Sequence, residues 1–225
     1  MSIETDFLRL ITEATVPGIA AAIIRDGRLD RYVCRGVRSA QGAAVVDENT
    51  VFEAASLTKP VFAHMVLQLV DQGYLSLDAP LGDYLPNYVP GDDRASTITP
   101  RQVLSYAPGL PNWRNAEWPL KTHFPPGDRF SYSGEGFLYL QKAVEATTGK
   151  QAPVLVEQLV LEPFAMTQSS LIWDSRFDVN RAYPHDDFGR RLSASNLLRP
   201  TRHGRFRQPR SISAASCSRC WMAPD

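Results

Sequence analysis

The segment "FEAASLTKPVFAHMVLQLVDQGYLSLD" places a serine and a lysine, Ser56 and Lys59, three residues apart at the start of an apolar run. A serine hydroxyl is a weak nucleophile at neutral pH and needs an adjacent base, and a lysine amine can be that base when burial lowers its pKa. Residues at i and i+3 lie on one face of a helix, so the amine can reach the hydroxyl. A backbone amide at a helix start is unpaired and can stabilise an oxyanion. The pair therefore predicts a nucleophile, its base and part of an oxyanion hole.

A structural explanation of the same pair is that Ser56 is an ordinary N-cap and Lys59 a solvated residue of the first turn. The spacing Ser-x-x-Lys alone does not decide between the two, because it is common by chance. Three further features favour chemistry. The helix that follows is apolar on almost every side, as a helix buried all round would be; a tyrosine turn, "FSYSGEG", lies downstream; and the intervening loops are rich in aromatic residues.

Composition excludes several classes of protein. The chain has 225 residues, of which 44% are hydrophobic and 21% charged, which is typical of a soluble globular protein. Basic and acidic residues number 24 each, so no net field attracts nucleic acid or an anionic membrane. No segment is apolar enough to span a membrane, and the N-terminus carries acids where a secretory signal is basic. Three cysteines, Cys34, Cys217 and Cys220, fit a reducing compartment, and we expect a cytoplasmic protein.

The elements that must position these residues follow from periodicity and turn signals. "GIAAAIIRDGRLDRYVCRG" predicts two strands around Arg25-Asp26-Gly27. We expect a looped excursion over residues 80–100, because it contains four prolines and two glycines. Thr99 and Pro100 predict the cap and first position of a short helix. Longer helices are expected at 4–14, at 57–72, over "EGFLYLQKAVEATTGK" with its end at Gly149, and around 153–162.

The last stretch, residues 199–225, loses apolar periodicity and is dense in Arg, Ser and Cys. We interpret it as an irregular, non-native or frameshifted tail. Two alternatives remain open. "RHGRFRQPR" has the composition of a nucleic-acid-binding arm, and Cys217-x-x-Cys220 is half of a metal site, although no second pair stands at zinc-ligand spacing.

The ordered series of motifs resembles the serine β-lactamase and penicillin-binding-protein superfamily, specifically its class C β-lactamase-like and esterase-like branch. The resemblance runs from about Val16 to about Leu197, through "VPGIAAAII", "FEAASLTKPVFAHMVLQLVDQGYLSLDAPLGDYLP", "ITPRQVLSYAPGLPNW", "FPPGDRFSYSGEGFLYLQKAVEATTGK" and "PHDDFGRRL". Ser-x-x-Lys alone is a weak signal, whereas this series is a strong one.

The resemblance implies roles for particular residues. Ser56 is the acylated nucleophile, Lys59 its proton partner and Tyr132 the second acid/base group, which relays a proton to the leaving group. A nearby ammonium suits a tyrosine for that task because it stabilises the phenolate. The substrate-binding residues that we predict are Trp113, Ser133 and Gly134.

Two departures from the family bear on the substrate. Gly134 stands where the family has an asparagine that holds β-lactams, so its presence favours esters over β-lactams. The family's "HTSGL" loop is replaced here by residues 106–110, "YAPGL".

The resemblance also implies a third motif, a Lys-Thr-Gly or His-x-Gly strand beside the serine. No such strand is predicted after Leu197, and His203-Gly204 is not preceded by strand residues. We therefore expect an α+β fold of the β-lactamase/DD-peptidase type, a helical cluster plus an incomplete antiparallel sheet. Residues 1–198 form the hydrolase domain of what we expect to be a C-terminally truncated member of the family.

The predicted reaction is acyl transfer from a small-molecule ester or amide. We expect no metal, organic cofactor, nucleic acid or membrane partner, and the sequence leaves the oligomeric state open. A true β-lactamase or a D-amino-acid peptidase is the alternative among enzymes. From another class, the alternative is a non-catalytic product, either a gene remnant or a penicillin-binding-like module that binds without turnover.

Overall fold

The computed structural model describes residues 3–114, 119–192 and 215–216. The chain divides into two compact units, one comprising Met1–Thr58 and Val160–Asp225 and the other Lys59–Leu159. The first unit contains the antiparallel strands and the second contains most of the helices. This combination is the predicted α+β class.

The first unit is built around a hairpin. Helix α1 (Ile3–Glu13) packs on strand β2 (Arg28–Gly36), which pairs antiparallel with β1 (Gly18–Arg25). The connecting residues Asp26 and Gly27 have φ angles of 51° and 75°, the left-handed pair that a tight hairpin turn needs and that Asp-Gly supplies at low cost. The predicted hairpin is confirmed.

A second pair of strands lies in the same unit. Strand β3 (Val51–Phe52) pairs antiparallel with β4 (Ala215–Ser216), and Val51 also forms a parallel bridge with Arg181. The guanidinium of Arg181 is buried, forms an ion pair with Glu53 at 3.2 Å and lies 4.3 Å from the ring of Trp173. This network fixes the chain directly before Ser56.

The segment predicted to be an irregular tail lies mostly outside the described residues. Cys217, Cys220 and His203-Gly204 belong to that part, so the alternatives that rest on them stay predictions. Ala215–Ser216 is the part of the segment that the structure describes, and it is a two-residue strand.

Helix α2 (Thr58–Asp71) opens the second unit. Its buried face carries Val61, Phe62, Met65, Val66 and Leu69, and these side chains form much of the core. The expectation of a helix buried all round was wrong, because the face at Pro60, His64, Leu67 and Asp71 is exposed. Leu67 is apolar and was therefore expected to be buried, but it is 43% exposed.

Residues 80–100 are more regular than the expected loop. They contain two four-residue helical turns, α3 (Leu81–Tyr84) and α4 (Asp93–Ser96). Helix α5 (Pro100–Leu104) follows, with Thr99 as its cap and Pro100 at its first position, as predicted. Gln102 completes a capping box with Thr99, which was not predicted. Prolines exclude a long helix here but permit single turns whose first position they can occupy.

Helix α6 (Gly134–Thr148) begins after the cap Ser133 and ends at Gly149, whose φ of 67° is the left-handed C-cap that the sequence predicts. Helix α7 (Ala152–Val156) continues into one π-helical segment, Glu157–Leu161. The rings of Phe62 and Phe137 meet at 6.3 Å, so α2 and α6 pack together.

One carboxylate joins α6 to α7. Glu145 accepts hydrogen bonds from Lys142 at 2.7 Å, from Gln141 at 3.0 Å and from the N–H of Ala152 at 3.1 Å. Burial acts to raise the pKa of Glu145, but these hydrogen bonds outweigh it and lower the pKa below its ordinary value. Glu145 therefore stabilises the folded chain more when its carboxylate is ionised than when it is protonated.

This arrangement predicts an acid-sensitive contribution to stability. Because the pKa in the folded chain is lowered, the contribution is complete above the unfolded value of about 4.3 and is lost as the pH falls through the folded value. We expect Glu145→Gln to unfold at a lower temperature than the wild type at pH 7 and the difference to shrink below about pH 4. Thermal unfolding of both chains from pH 3 to pH 8 measures this, and a gap that stays constant with pH would contradict it.

None of the helices in the described part of the chain is both long and apolar enough to cross a membrane. Over the same residues, no three His, Cys, Asp or Glu side chains converge as a metal site requires.

Candidate functional site

Ser56 lies in an exposed turn, two residues before the first residue of α2. The turn is closed by the N–H of Leu57, which donates to Ala54 at 2.9 Å, and by the N–H of Thr58, which donates to Ala55 at 3.1 Å. Ala55 has a φ of 44°, a left-handed backbone that a residue with a Cβ adopts only under constraint. The structure thus presents Ser56 at the end of a strained turn, one residue further from the helix than an N-cap would be.

Lys59 is the second residue of α2, and only 9% of it is exposed. Its Nζ lies 4.7 Å from the centroid of the Tyr132 ring and 5.5 Å from that of Phe137. Ring faces attract an ammonium group, so these aromatics would stabilise the charged form of Lys59 after it takes a proton. The alternative of a solvated first-turn lysine is wrong.

Tyr132 comes from the loop before α6 and is 36% exposed. Its ring stacks on that of Tyr106, with 5.2 Å between the centroids and 15° between the planes. The N–H of Ser131 donates to the carbonyl of Tyr106 at 2.7 Å, which joins the two loops beside the stacked pair. The structure therefore brings together two of the three predicted catalytic residues, Lys59 and Tyr132.

Tyr106 is a site residue that the sequence did not predict. Burial and the neighbouring Tyr132 raise the pKa of its phenol above the ordinary value. Its φ of 58° is left-handed although it is not a glycine. The substitution of "YAPGL" for the family's loop motif was the available signal, but nothing in the sequence shows that residue 106 contacts residue 132.

Ser133 is almost fully buried, with 1% exposure. Its Oγ donates to the carbonyl of Pro111 at 2.9 Å and accepts from the N–H of Gly136 at 2.9 Å. Both partners are main-chain groups, so the hydroxyl caps α6 and fixes the loop that carries Tyr132. Direct contact of Ser133 with substrate stays a prediction.

Gly134 and Trp113 lie against each other. A Cβ at residue 134 would lie 2.5 Å from Cη2 of Trp113 and 2.7 Å from the carbonyl oxygen of Asn112. The N–H of Gly134 donates to Oδ1 of Asn112 at 3.0 Å. The indole ring is 42% exposed. Trp113 therefore occupies the space that a side chain at residue 134 would fill and presents an aromatic surface there.

An ion pair holds this loop on the N-terminus of α6. The carboxylate of Glu135, 3% exposed, accepts three hydrogen bonds from the guanidinium of Arg114, two on Oε2 at 2.7 and 3.0 Å and one on Oε1 at 3.1 Å. Its Oε1 also accepts from the backbone N–H of Arg114 at 3.0 Å. Arg114 also donates to the hydroxyl of Tyr88 at 2.9 Å. The carboxylate lies in the first turn of a helix, where the dipole favours negative charge.

The site contains some of the groups that acyl transfer needs. A buried amine beside a phenol can move a proton, and a serine hydroxyl three residues before that amine is exposed for reaction. The first unit contains a separate cleft of about 390 Å³, between the end of α1 and residues 182–187. None of the predicted site residues lines that cleft.

Comparison with known proteins relates the chain to one family. The family model described as "Beta-lactamase" matches residues 5–212. Penicillin-binding protein 4 of Amycolatopsis lactamdurans is 29% identical over 195 residues, which are 80% of this chain and 51% of that protein. Esterase EstB of Burkholderia gladioli is 27% identical over 202 residues, 76% of this chain and 51% of that protein. The chain spans about half the length of these curated relatives.

Solved structures show the same fold. The D-alanine carboxypeptidase AmpC from Burkholderia cenocepacia matches 94% of this chain and 59% of its own, with a TM-score of 0.77 and 21% identity. A class C β-lactamase from Rhodobacter sphaeroides matches 96% of this chain and 62% of its own, with a TM-score of 0.77 and 18% identity.

Proposed function

The chain belongs to the β-lactamase family, and from that membership we propose that it is a serine hydrolase that works through an acyl-enzyme on Ser56. One observation carries the proposal. The Nζ of Lys59 is buried 4.7 Å from the ring centroid of Tyr132, which gives the lysine of the Ser-x-x-Lys motif an acid/base partner.

The proposed reaction has two steps. With Lys59 as the neutral amine, the Oγ of Ser56 attacks the carbonyl carbon of an ester or amide and passes its proton to Nζ. Tyr132 gives its phenol proton to the leaving group as the bond to that group breaks, and the Lys59 ammonium then returns a proton to the phenolate. Water then attacks the acyl carbon and gives a proton to Lys59, the bond between that carbon and Oγ breaks, and Oγ takes the proton from Lys59. The acid and free Ser56 are released with Lys59 and Tyr132 in their starting forms. The exposed turn supports the role of Ser56, since a nucleophile must be accessible.

We propose an ester rather than a β-lactam as the substrate. The site has Gly134 where the family has a β-lactam-holding asparagine, and the ring of Trp113 fills the adjacent space. An aromatic surface binds apolar acyl or alcohol groups, whereas the absent carboxamide would have bound a polar amide. The similarity to an esterase from Burkholderia gladioli supports this choice.

The proposed substrate is a small molecule. No cofactor is part of the proposal, because the reaction needs only side chains. No nucleic acid is part of it either, because the formal net charge of the chain is zero. We also propose a cytoplasmic location on the basis of the few cysteines, Cys34 among them.

A fluorophosphonate probe tests the proposal on the chain as it exists. We expect one covalent label on folded protein, at Ser56 by mass spectrometry, and faster turnover of a short-chain nitrophenyl ester than of a chromogenic cephalosporin. Folded protein that takes no label would favour the non-catalytic binding module. Faster turnover of the cephalosporin would favour a β-lactamase and reverse the preference for esters.

A further inference from the structure

Tyr106 has an unusual backbone at a point where two loops meet. It follows helix α5, its φ is 58°, and its N–H donates to the carbonyl of Val103 at 3.0 Å. Its own carbonyl accepts from the N–H of Ser131 at 2.7 Å. A residue with a Cβ keeps a left-handed backbone only where the surrounding contacts require it. The fold therefore directs the side chain of Tyr106 at the expense of local strain.

The ring lies in the middle of an aromatic cluster. It stacks on Tyr132 at 5.2 Å, and it meets Phe137 at 5.6 Å and Phe130 at 5.7 Å in tilted contacts. Phe137 and Tyr132 are the two rings that face the ammonium of Lys59. Tyr106 thus contacts both aromatic neighbours of the lysine through its ring.

The ring of Tyr132 is only partly enclosed. It is 36% exposed and lies on a loop, so its χ angles are not fixed by close packing on all sides. Stacked rings attract each other beyond the area that they bury and prefer a defined offset geometry. The ring of Tyr106 therefore limits where the phenol of Tyr132 can lie relative to Lys59.

We propose that Tyr106 is a positioning residue that holds the ring of Tyr132 beside Lys59 and so sets the efficiency of proton delivery to the leaving group. The proposal rests on the proposed function of Ser56, Lys59 and Tyr132. Stacking is a property of the ring, so phenylalanine at residue 106 should replace tyrosine.

The chemistry of the leaving group makes this role measurable. When the ester bond of an alkyl ester breaks, the departing alkoxide is strongly basic and must receive a proton. A nitrophenolate departs as a stable anion and needs none. A misplaced Tyr132 therefore slows alkyl esters selectively, whereas general damage to the fold or to Ser56 slows both kinds of ester equally.

The informative variant is Tyr106→Gly, because glycine adopts the left-handed backbone without strain while the ring is lost. We expect kcat for an ethyl ester to fall by about 30-fold or more and kcat for the nitrophenyl ester of the same acid to fall by less than about 5-fold, with KM for both nearly unchanged. Tyr106→Phe should restore both rates to within about 3-fold of the wild type.

Phe130→Leu is the matched control, since it removes a neighbouring ring that is 72% exposed and leaves the stacked pair in place. It should slow neither ester selectively. Tyr106→Leu is a second variant without the ring, so the test does not depend on one variant being folded. Thermal unfolding verifies that each variant is folded.

Equal losses for the two esters in a folded variant, or no rescue by phenylalanine, would overturn the positioning role while Ser56 is still labelled by fluorophosphonate. A wild-type chain that is folded and takes no label would overturn the proposed function and this inference together. The two failures are therefore distinguishable.

Discussion

Replacing Lys59 by methionine is expected to slow the acylation of Ser56 by about 10²–10⁴-fold while the chain stays folded. Methionine matches the length and apolar character of the buried stem beside Tyr132 and Phe137 but cannot take a proton. The variant loses the attraction between the lysine head group and the rings, and it no longer has to bury a polar group. We expect these opposing changes to leave the free energy of unfolding within about 1 kcal/mol of the wild type.

Lys59→Arg separates the two properties of the lysine. The guanidinium keeps the positive charge but does not deprotonate in proteins, so a base role predicts that arginine is as inactive as methionine. The rate of fluorophosphonate labelling measures acylation, and thermal unfolding measures stability. A methionine variant that is labelled within about tenfold of the wild-type rate would exclude Lys59 as the base.

Arg114→Met is expected to have the largest effect on stability. It leaves the carboxylate of Glu135, 3% exposed, without the guanidinium that donates to both of its oxygens. Removing one partner of a buried ion pair typically costs about 3–5 kcal/mol, and we expect about 2–3 kcal/mol because Arg114 is itself 40% exposed. For a chain of this size the unfolding temperature should fall by roughly 5–10 °C.

Arg101→Met is the matched control. Arg101 likewise donates to both carboxylate oxygens of Asp78, at 2.6 and 2.8 Å, but both side chains are exposed, and such pairs contribute little. The double variant Arg114→Met with Glu135→Leu should recover part of the loss, because no buried charge is then left unpaired. An equal shift for the exposed and the buried pair would refute the argument from burial.

The elements that the sequence predicts correctly are those with local causes. The turn at Asp26-Gly27, the capping box at Thr99 and the C-cap at Gly149 each depend on residues within a few positions of one another. The exposed face of α2 was not predictable in this way. Whether Leu67 is covered depends on what packs there, and the apolar pattern alone carries no such information.

The candidate site also has a part that the sequence predicts and a part that only tertiary packing determines. The spacing of Ser56 and Lys59, with the family resemblance, predicts the residue types, and the structure shows that Lys59 is buried beside Tyr132. The stack on Tyr106 connects residues 26 positions apart through a left-handed backbone that no residue preference for tyrosine indicates. Such contacts arise from tertiary packing and have no local signal in the sequence.

The close approach of the 112–113 loop to Gly134 constrains the order in which mutations can accumulate. A side chain at residue 134 would collide with the Trp113 ring and also with the carbonyl oxygen of Asn112, so removing the ring clears only one of the two obstacles. A lineage that gains an amide at residue 134 must therefore first move the backbone of the loop. Selection for a new substrate would act on residues 112–113 before it could act on 134, and directed evolution that randomises residue 134 alone should return glycine.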